Sequence, residues 1–137
     1  MIRRVLSPEV PEPPPGLFSN CLVVGDTVYL SGLHAGVPGD DGMEEQTRRT
    51  LRKVRALVEA AGAAMADVVK LTIYVTDISR RAEVSAARRE FFGGDLPCST
   101  LVEVRALVDP GLLVEIDAVA VIGASRKEDR EWTTTRT

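Results

Sequence analysis

The hydrophobic pattern of the chain is clearest in residues 96–121, where apolar positions dominate. Asp109-Pro110-Gly111 divides this stretch, and proline followed by glycine is typical of a tight turn. Before the turn, alternate residues share a face: Ser99, Leu101, Glu103 and Arg105 on one side, Thr100, Val102, Val104 and Ala106 on the other. After the turn, Glu115 and Asp117 interrupt an apolar run. The pattern predicts two long strands joined at the turn, with two carboxylates left to be explained.

The N-terminal third of the chain predicts further strands. Residues 2–6 fit a short edge strand, and the prolines of residues 8–15 favour an extended surface loop over a helix or central strand. Residues 21–24 and 27–31 flank Gly25-Asp26, a connection suited to a β-hairpin. We expect Gly32 to end the second of these strands and residues 33–42 to form a loop.

The middle of the chain predicts two helices separated by a strand. Residues 44–61 carry an apolar stripe at helical spacing, with acidic residues in the first turn and Gly62 after the last. Residues 67–77 alternate apolar and polar side chains, as a half-buried strand does. Residues 79–92 fit a second helix, which Gly93-Gly94 ends.

This order of elements predicts an α+β fold, in which a mixed sheet has two helices packed on one face. The opposite face then carries too many apolar side chains to be wet, so we expect a homo-oligomer that packs sheet faces together. We assign residues 1–124 to a single domain and residues 125–137 to a polar C-terminal tail, in which Trp132 is a candidate for docking onto the domain.

Composition narrows the class of protein. The 137 residues are 45% hydrophobic, 27% charged and only 4% aromatic, which indicates an aliphatic core of one domain. A net charge of −3 provides no basic field for nucleic acid or anionic lipid, and no apolar run is long enough for a membrane helix. We expect no secretion signal, free thiols at Cys21 and Cys98, and a cytoplasmic location.

No strong catalytic motif stands alone in the sequence. There is no phosphate-binding glycine loop, CxxC pair, HExxH or Gly-x-Ser-x-Gly segment, so we expect no cofactor. One histidine and two separated cysteines make a metal site an unfavoured interpretation. A Ser-His-Asp arrangement stays open as an alternative, and His34 would have to supply its imidazole.

Glu115 is the best catalytic candidate, with two interpretations open. It is either a solvent-facing or cross-strand paired residue, or a partly buried carboxylate that holds or activates a water. Cys98-Ser99-Thr100 likewise either begins a strand or supplies a thiol and hydroxyls to a site. His34 lies in a loop at a strand end, Phe18 is a possible hydrophobic plug, and Arg88-Arg89 fits a solvated helix face.

Six segments between residues 16 and 123 form a recognisable set. They are Val28-Tyr29-Leu30-Ser31-Gly32, Glu45-Gln46-Thr47, residues 67–72 through Thr76-Asp77, Glu90-Phe91-Phe92-Gly93, residues 97–103, and Leu113-Val114-Glu115-Ile116-Asp117-Ala118-Val119-Ala120. Taken together, these segments resemble the Rid family, also called YjgF/YER057c/UK114, and the resemblance covers residues 16–123.

The resemblance implies a chorismate-mutase-like fold and a homotrimer with three clefts between subunits. In deaminase members of the family, an arginine that binds the substrate carboxylate stands where this chain has Ser99. Other cleft positions of the family also differ here: its tyrosine is Phe18, its asparagine Ser85, its cysteine Leu101 and its glutamine Leu33, whereas Gly32 and Glu115 are kept.

The resemblance therefore implies an atypical member that acts on a small imine, enamine or related carbonyl compound. Glu115 would act as general acid/base or hold a water, in hydrolytic deamination or in tautomerisation or cyclisation within a biosynthetic pathway. Phe18, Gly32, His34, Ser85, Cys98, Ser99, Thr100 and Leu101 would bind a substrate that is less anionic and more apolar than the family's. A non-catalytic trimer that binds a metabolite or partner protein is the main alternative, and a Cys98-dependent redox or acyl-transfer role is a third.

Overall fold

The computed structural model describes residues 1–36 and 41–126, which form six strands and two α-helices. In chain order these are β1 Ile2–Arg4, β2 Cys21–Val24, β3 Thr27–Leu33, α1 Met43–Ala60, β4 Val68–Val75, α2 Arg81–Arg88, β5 Cys98–Glu103 and β6 Val114–Val121. The strands form one sheet in the order β1-β2-β3-β6-β4-β5. Only the β4–β5 pair is parallel. The predicted α+β fold with a mixed sheet and two helices is confirmed.

The two central strands show why the sequence forms this sheet. On β6, Val114, Ile116, Ala118 and Ala120 are buried, while the residues that alternate with them are half-buried. β4 alternates in the same way through Leu71 and Ile73. The buried face packs against α1, whose Leu51, Val54, Leu57 and Val58 are also completely buried. One face of the sheet is therefore the core, and the other is open.

The hairpin and the first helix lie where they were predicted. β2 and β3 pair across Gly25, whose φ of +60° suits glycine at a tight connection. α1 begins and ends within one residue of the predicted bounds, and Gly62 with φ +96° follows it. The edge strand near the N-terminus is also present, but it ends at Arg4.

The prediction of two long C-terminal strands is wrong for the first of them. β5 ends at Glu103. The last sheet-like hydrogen bond of this segment runs from the N–H of Val104 to the carbonyl of Val75. Since β4 ends at Val75, the chain beyond has no strand to pair with. It turns at Pro110 and Gly111 and enters β6 on the other side of β4.

Two further boundaries differ from the prediction. The second helix starts as a 3-10 turn, Ile78–Arg80, which the Asp77 carboxylate caps by accepting the Ser79 N–H. Its α-helical part ends at Arg88. Gly32 does not end β3, because the strand continues to Leu33 through a bulge between Leu30 and Leu33.

The segment after β6 is held to the domain by Asp67, which ends a 3-10 turn instead of starting β4 as predicted. Asp67 accepts hydrogen bonds from the backbone N–H groups of Ala64, Gly123 and Ser125 and from the Ser125 hydroxyl. The boundary between residues 124 and 125 stays a prediction, and Trp132 and part of the predicted 33–42 loop lie outside the described residues. Within the described ranges, neither helix combines the length and apolarity required to cross a bilayer.

Candidate functional site

Gly32 and Glu115 meet at the bulge of β3. The extra residue there lets Leu30 and Leu33 both pack into the core, and it turns Ser31 and Gly32 toward the open face. Glu115 lies on the same open face of β6, between the buried Val114 and Ile116. A methyl group added at Gly32 would lie 2.5 Å from Glu115 Oε2. The absence of a side chain at Gly32 is therefore what makes room for the carboxylate.

The Glu115 carboxylate is half-buried and unusually free of partners. No donor among the described residues forms a hydrogen bond to it, in contrast to Asp117, which accepts one from the Tyr74 hydroxyl at 3.0 Å. Burial raises the pKa of Glu115, the charge of His34 lowers it, and the nearby Asp117 carboxylate raises it further. A carboxyl group in this state is suited to take and return a proton.

Glu115 lies in the wall of a cavity of about 860 Å³ at the end of β3. Its other walls come from the proline-rich N-terminal loop, the end of β3, α1 and the connection before β6. The lining residues are Val10, Pro11, Glu12, Pro13, Pro14, Leu17, Phe18, Asn20, Ser31, Gly32, Leu33, His34, Gly36, Lys53, Val108, Asp109 and Glu115. We call this cavity the Glu115 cavity.

Four of the predicted site residues thus come together: Phe18, Gly32, His34 and Glu115 line one cavity. Phe18 is half-exposed in the wall of this cavity. His34 Nδ1 accepts the backbone N–H of Gly36 at 3.1 Å, which leaves Nε2 to carry the hydrogen of the neutral ring. This acceptor role of Nδ1 differs from that of a triad histidine, in which Nδ1 donates to a carboxylate.

Two residues of the cavity were not predicted from the sequence. Asn20 is buried and donates from Nδ2 to the carbonyl of Pro11 at 2.9 Å, so it holds the proline-rich loop in place. Lys53 of α1 contributes a positively charged side chain to the cavity wall. Its pKa is lowered, mainly by burial and secondly by the nearby charge of Arg49. Neither has a sequence signal, because asparagine in a loop and lysine on a helix are ordinary surface residues.

Two other predicted residues, Ser85 and Leu101, lie in a second groove, between α2 and β5. Its volume is about 560 Å³, and it is lined by Ile78, Ser79, Arg81, Ala82, Ser85, Arg89 and Leu101. Ser99 lies two residues before Leu101 on the same face of β5, and its hydroxyl accepts a hydrogen bond from the Arg88 guanidinium at 2.9 Å. Arg88 is half-buried, so its assignment to a solvated helix face is wrong, whereas Arg89 is exposed. We call Arg88, Ser99 and Leu101 the β5 corner.

The remaining two candidates, Cys98 and Thr100, face away from this groove. They alternate with Ser99 along β5 and are exposed. The Thr100 hydroxyl accepts a hydrogen bond from Lys70 Nζ at 2.8 Å. Across the described ranges, no three His, Cys, Asp or Glu side chains are grouped closely enough to hold a metal ion.

The Glu115 cavity and the β5 corner lie on opposite faces of the sheet. Glu115 pairs with Tyr74 of β4, on the open face, whereas Ser99 pairs with the completely buried Leu71, on the helix face. The sheet itself separates them within one chain.

This fold corresponds to that of a known family. The sequence profile of the family described as "Endoribonuclease L-PSP" matches residues 11–122. The chain therefore belongs to this family, which includes the YjgF/YER057c/UK114 and RutC proteins, and the resemblance noted from the sequence is confirmed.

Named relatives cover nearly all of the chain. It is 33% identical over 127 residues to a RutC family protein of Pyrococcus abyssi, a match that covers 88% of this chain and 98% of the relative. It is 32% identical over 130 residues to the 2-iminobutanoate/2-iminopropanoate deaminase of Rattus norvegicus, covering 90% and 93% of the two chains.

Solved structures show the same fold. A Pseudomonas aeruginosa protein of unknown function matches with a TM-score of 0.85 and 39% identity, covering 90% of this chain and 94% of its own. A Mycobacterium tuberculosis member of the YjgF/YER057c/UK114 family matches with a TM-score of 0.72 and 44% identity over 77% and 86% of the two chains. TdcF of E. coli, solved with bound serine, has a TM-score of 0.79 and 26% identity over 87% and 98%.

Proposed function

We propose that the protein is a hydrolase of a small imine or enamine, with Glu115 as its catalytic acid/base, in a cleft between two subunits. The observation that carries the proposal is the state of the Glu115 carboxylate, which is half-buried and has a raised pKa. It lies so close to Gly32 that a methyl group added there would be 2.5 Å from Glu115 Oε2. Relatives named as 2-iminobutanoate/2-iminopropanoate deaminases support this class of reaction. The serine in TdcF supports a small-molecule ligand of amino-acid size.

The proposed reaction needs one proton acceptor and one water. Glu115 accepts a proton from the water as its oxygen bonds to the imine carbon, and passes that proton to the imine nitrogen, so a neutral carbinolamine forms. Glu115 then takes the hydroxyl proton of the carbinolamine and delivers it to the nitrogen as the carbon–nitrogen bond breaks. Imine and water thus become a carbonyl compound and ammonia, and Glu115 is again a carboxylate. An enamine enters this course after it gains a proton at carbon and loses one at nitrogen. Tautomerisation or cyclisation of a pathway intermediate would use the same proton transfers.

Two further features support a cleft between subunits. The open face of the sheet carries exposed apolar side chains, including Tyr29, Val69 and Val102, that a second copy would cover. Ser85 and Leu101, which the family resemblance places in the cleft, line a different groove from Glu115 in one chain. A homotrimer that joins the Glu115 cavity of one chain to the β5 corner of the next satisfies both. The negative net charge of −3 favours a small-molecule substrate over RNA.

The test compares two isosteric substitutions on the same strand and face, Glu115→Gln and Asp117→Asn. Imines made in situ from amino acids by an amino-acid oxidase are followed as they hydrolyse, with semicarbazide trapping the unhydrolysed imine. We expect E115Q to lose roughly 10²- to 10⁴-fold in turnover and D117N to stay within a few-fold, both with the oligomeric state of the unmutated protein in light scattering.

The control is informative because Asp117 is held by Tyr74 and transfers no proton in the proposed reaction, so its charge acts only through the pKa of Glu115. Equal turnover of E115Q and the unmutated protein would remove Glu115 from the mechanism. An unmutated protein that hydrolyses no imine in the panel would favour the alternative, a non-catalytic trimer that binds a metabolite or partner.

A further inference from the structure

The guanidinium of Arg88 lies next to the side chain of Ser99. Arg88 lies at the end of α2, eleven residues before Ser99, and its Nη1 donates to Ser99 Oγ at 2.9 Å. Ser99 is the position at which the family resemblance places a carboxylate-binding arginine. Serine is smaller than arginine and carries no charge, so β5 itself supplies no cation at position 99. The guanidinium of Arg88, at the end of α2, supplies one instead.

Arg88 has donors to spare. A guanidinium carries five N–H groups, and the bond to Ser99 is the only side-chain hydrogen bond that Arg88 makes within the described part of the chain. It takes part in none of the salt bridges formed there. Arg48 and Arg80, by comparison, are engaged by carboxylates of Glu90 and Glu83. Those two arginines are structural, whereas Arg88 is available to an anion.

The position of Arg88 also strengthens its attraction for an anion. The side chain is half-buried, which lowers the pKa of its guanidinium, and its hydrogen bond to the exposed Ser99 leaves the guanidinium within reach of a ligand. A half-buried cation attracts an opposite charge more strongly than one in open water. A planar guanidinium forms two parallel bonds to a carboxylate, which also sets the orientation of the ligand.

We propose that Arg88 is the specificity-determining residue of the cleft and binds the carboxylate of a small 2-imino acid. Ser99 is a positioning residue, because its hydroxyl accepts one N–H of Arg88 and so sets the direction of the fork. The inference rests on the proposed imine hydrolysis for the identity of the substrate. It reverses the expectation of a less anionic ligand, which followed from Ser99 considered without its neighbour.

The geometry requires a second copy of the chain. Ser99 and Glu115 lie on opposite faces of one sheet, with β4 between their strands. The carboxylate is therefore bound by Arg88 of one subunit while the imine carbon lies next to Glu115 of another. The Glu115 cavity alone, with Lys53 as its cation, is the rival arrangement within a single chain.

Binding of 2-oxobutanoate, a stable carboxylate and the keto product expected from 2-iminobutanoate, is the direct test. Calorimetry on the assembled protein compares the unmutated chain with Arg88→Met, Arg88→Lys, Lys53→Met and Arg89→Met. We expect R88M to weaken binding roughly 10- to 100-fold, as loss of a charge-assisted hydrogen bond does, and R88K to fall between. The matched control is Arg52→Met, which removes an exposed helix arginine outside both cavities and should bind normally.

A rescue variant tests the equivalence of the two positions. Ser99→Arg in the Arg88→Met background returns a guanidinium to the strand, and we expect it to recover most of the lost affinity. Butanone has the same four-carbon chain with a methyl group in place of the carboxylate. It should inhibit imine hydrolysis by the unmutated protein and by R88M equally. Overturning results are normal 2-oxobutanoate binding by R88M, no detectable binding by the unmutated protein, or a loss that appears in K53M or R89M and not in R88M.

These results separate the inference from the proposed function. If Arg88 governs 2-oxobutanoate binding but no imine is hydrolysed, the anion site stands and the hydrolase fails. If imines are hydrolysed and R88M slows carboxylated and carboxylate-free imines equally, the hydrolase stands and the anion site fails. If R88M does not assemble, R88K still tests the inference, because lysine keeps the positive charge and loses only the parallel N–H donors of the guanidinium.

Discussion

A methyl group on Gly32 would lie 2.5 Å from Oε2 of Glu115, closer than a carbon and an oxygen pack without displacement. The backbone of Gly32 is in an ordinary strand conformation, so it is the space next to Glu115, not a φ value, that requires glycine there.

Gly32→Ala should therefore impair function while sparing the fold. The obstructing atoms are the end of a flexible side chain, so the protein can relieve the contact by moving the Glu115 carboxylate. We expect turnover to fall by about 10- to 100-fold, because small displacements of a catalytic group are costly, with a change in melting temperature of a few degrees at most. Steady-state kinetics and thermal denaturation check this.

The control for that substitution is Gly93→Ala, where an added methyl meets nothing within 4 Å. G93A should leave turnover unchanged. Full activity of G32A would show that the position of the Glu115 carboxylate does not matter to the reaction.

The pH dependence of the reaction should report Glu115. If its carboxylate form accepts the proton of water, the rate falls as pH drops through its pKa, and burial has raised that pKa. The acid limb of kcat/KM should then lie at higher pH than an ordinary glutamate would give. Asp117→Asn removes a like charge, so it should lower the pKa of Glu115 and move the limb to lower pH.

Asp26→Asn is the companion measurement, because Asp26 is an exposed carboxylate at the β2–β3 turn. Its limb should coincide with that of the unmutated protein. A limb that D117N moves upward, or leaves in place, would contradict the assignment to Glu115.

Mixed assemblies should show whether a site is shared between chains. In an assembly of Glu115→Gln and Arg88→Met chains, a cleft built from two subunits receives both intact residues in about a quarter of cases when the chains mix at random. Coexpression of the two impaired variants should then recover roughly that share of activity, whereas mixing them after separate purification should recover it only if subunits exchange. A site within one chain would recover none.

Asp67 should be the most sensitive carboxylate for stability. It is only 4% exposed, it joins the segment after β6 to the turn before β4 through three hydrogen bonds, and it accepts a fourth from Ala64 within that turn. Asp67→Ala leaves these partly buried donors without an acceptor and should lower the free energy of unfolding by about 2–4 kcal/mol. Urea denaturation measures the loss, with the exposed cap Asp77→Ala as a milder comparison.

The pH dependence of that loss has a definite sign. Burial raises the pKa of Asp67, but the hydrogen bonds from Ser125, Ala64 and Gly123 outweigh it, so the pKa is lowered in the folded protein. A lowered pKa means that Asp67 stabilises the fold above its unfolded-state pKa and loses this effect as pH falls through the folded-state value. The difference between the unmutated protein and D67A should therefore shrink in acid.

The alternation of apolar residues was sufficient to predict which faces of β4 and β6 are buried, because that period depends only on the strand itself. It was not sufficient to predict that β6 lies between β3 and β4, since neighbours in a sheet are chosen by the whole fold. The length of β5 was overestimated for the same reason: its sequence continues the pattern, but its partner strand ends at Val75.

The site was predictable where one residue carries the signal and not where two distant ones do. A carboxylate among apolar neighbours identified Glu115 from the strand alone. The contact between Arg88 and Ser99 depends on how α2 lies over β5, which no periodicity encodes. The bulge that turns Gly32 toward Glu115 depends on one extra residue in β3, which the hydrophobic pattern does not show.

The separation of the two half-sites by β4 also determines the symmetry of any assembly that uses them. Each chain offers one surface on the open face and a different one at the β5 corner, so the contact between chains is head-to-tail. Head-to-tail contacts either close into a ring or continue as an open filament. In a closed ring the number of complete clefts equals the number of chains, and a free chain has none.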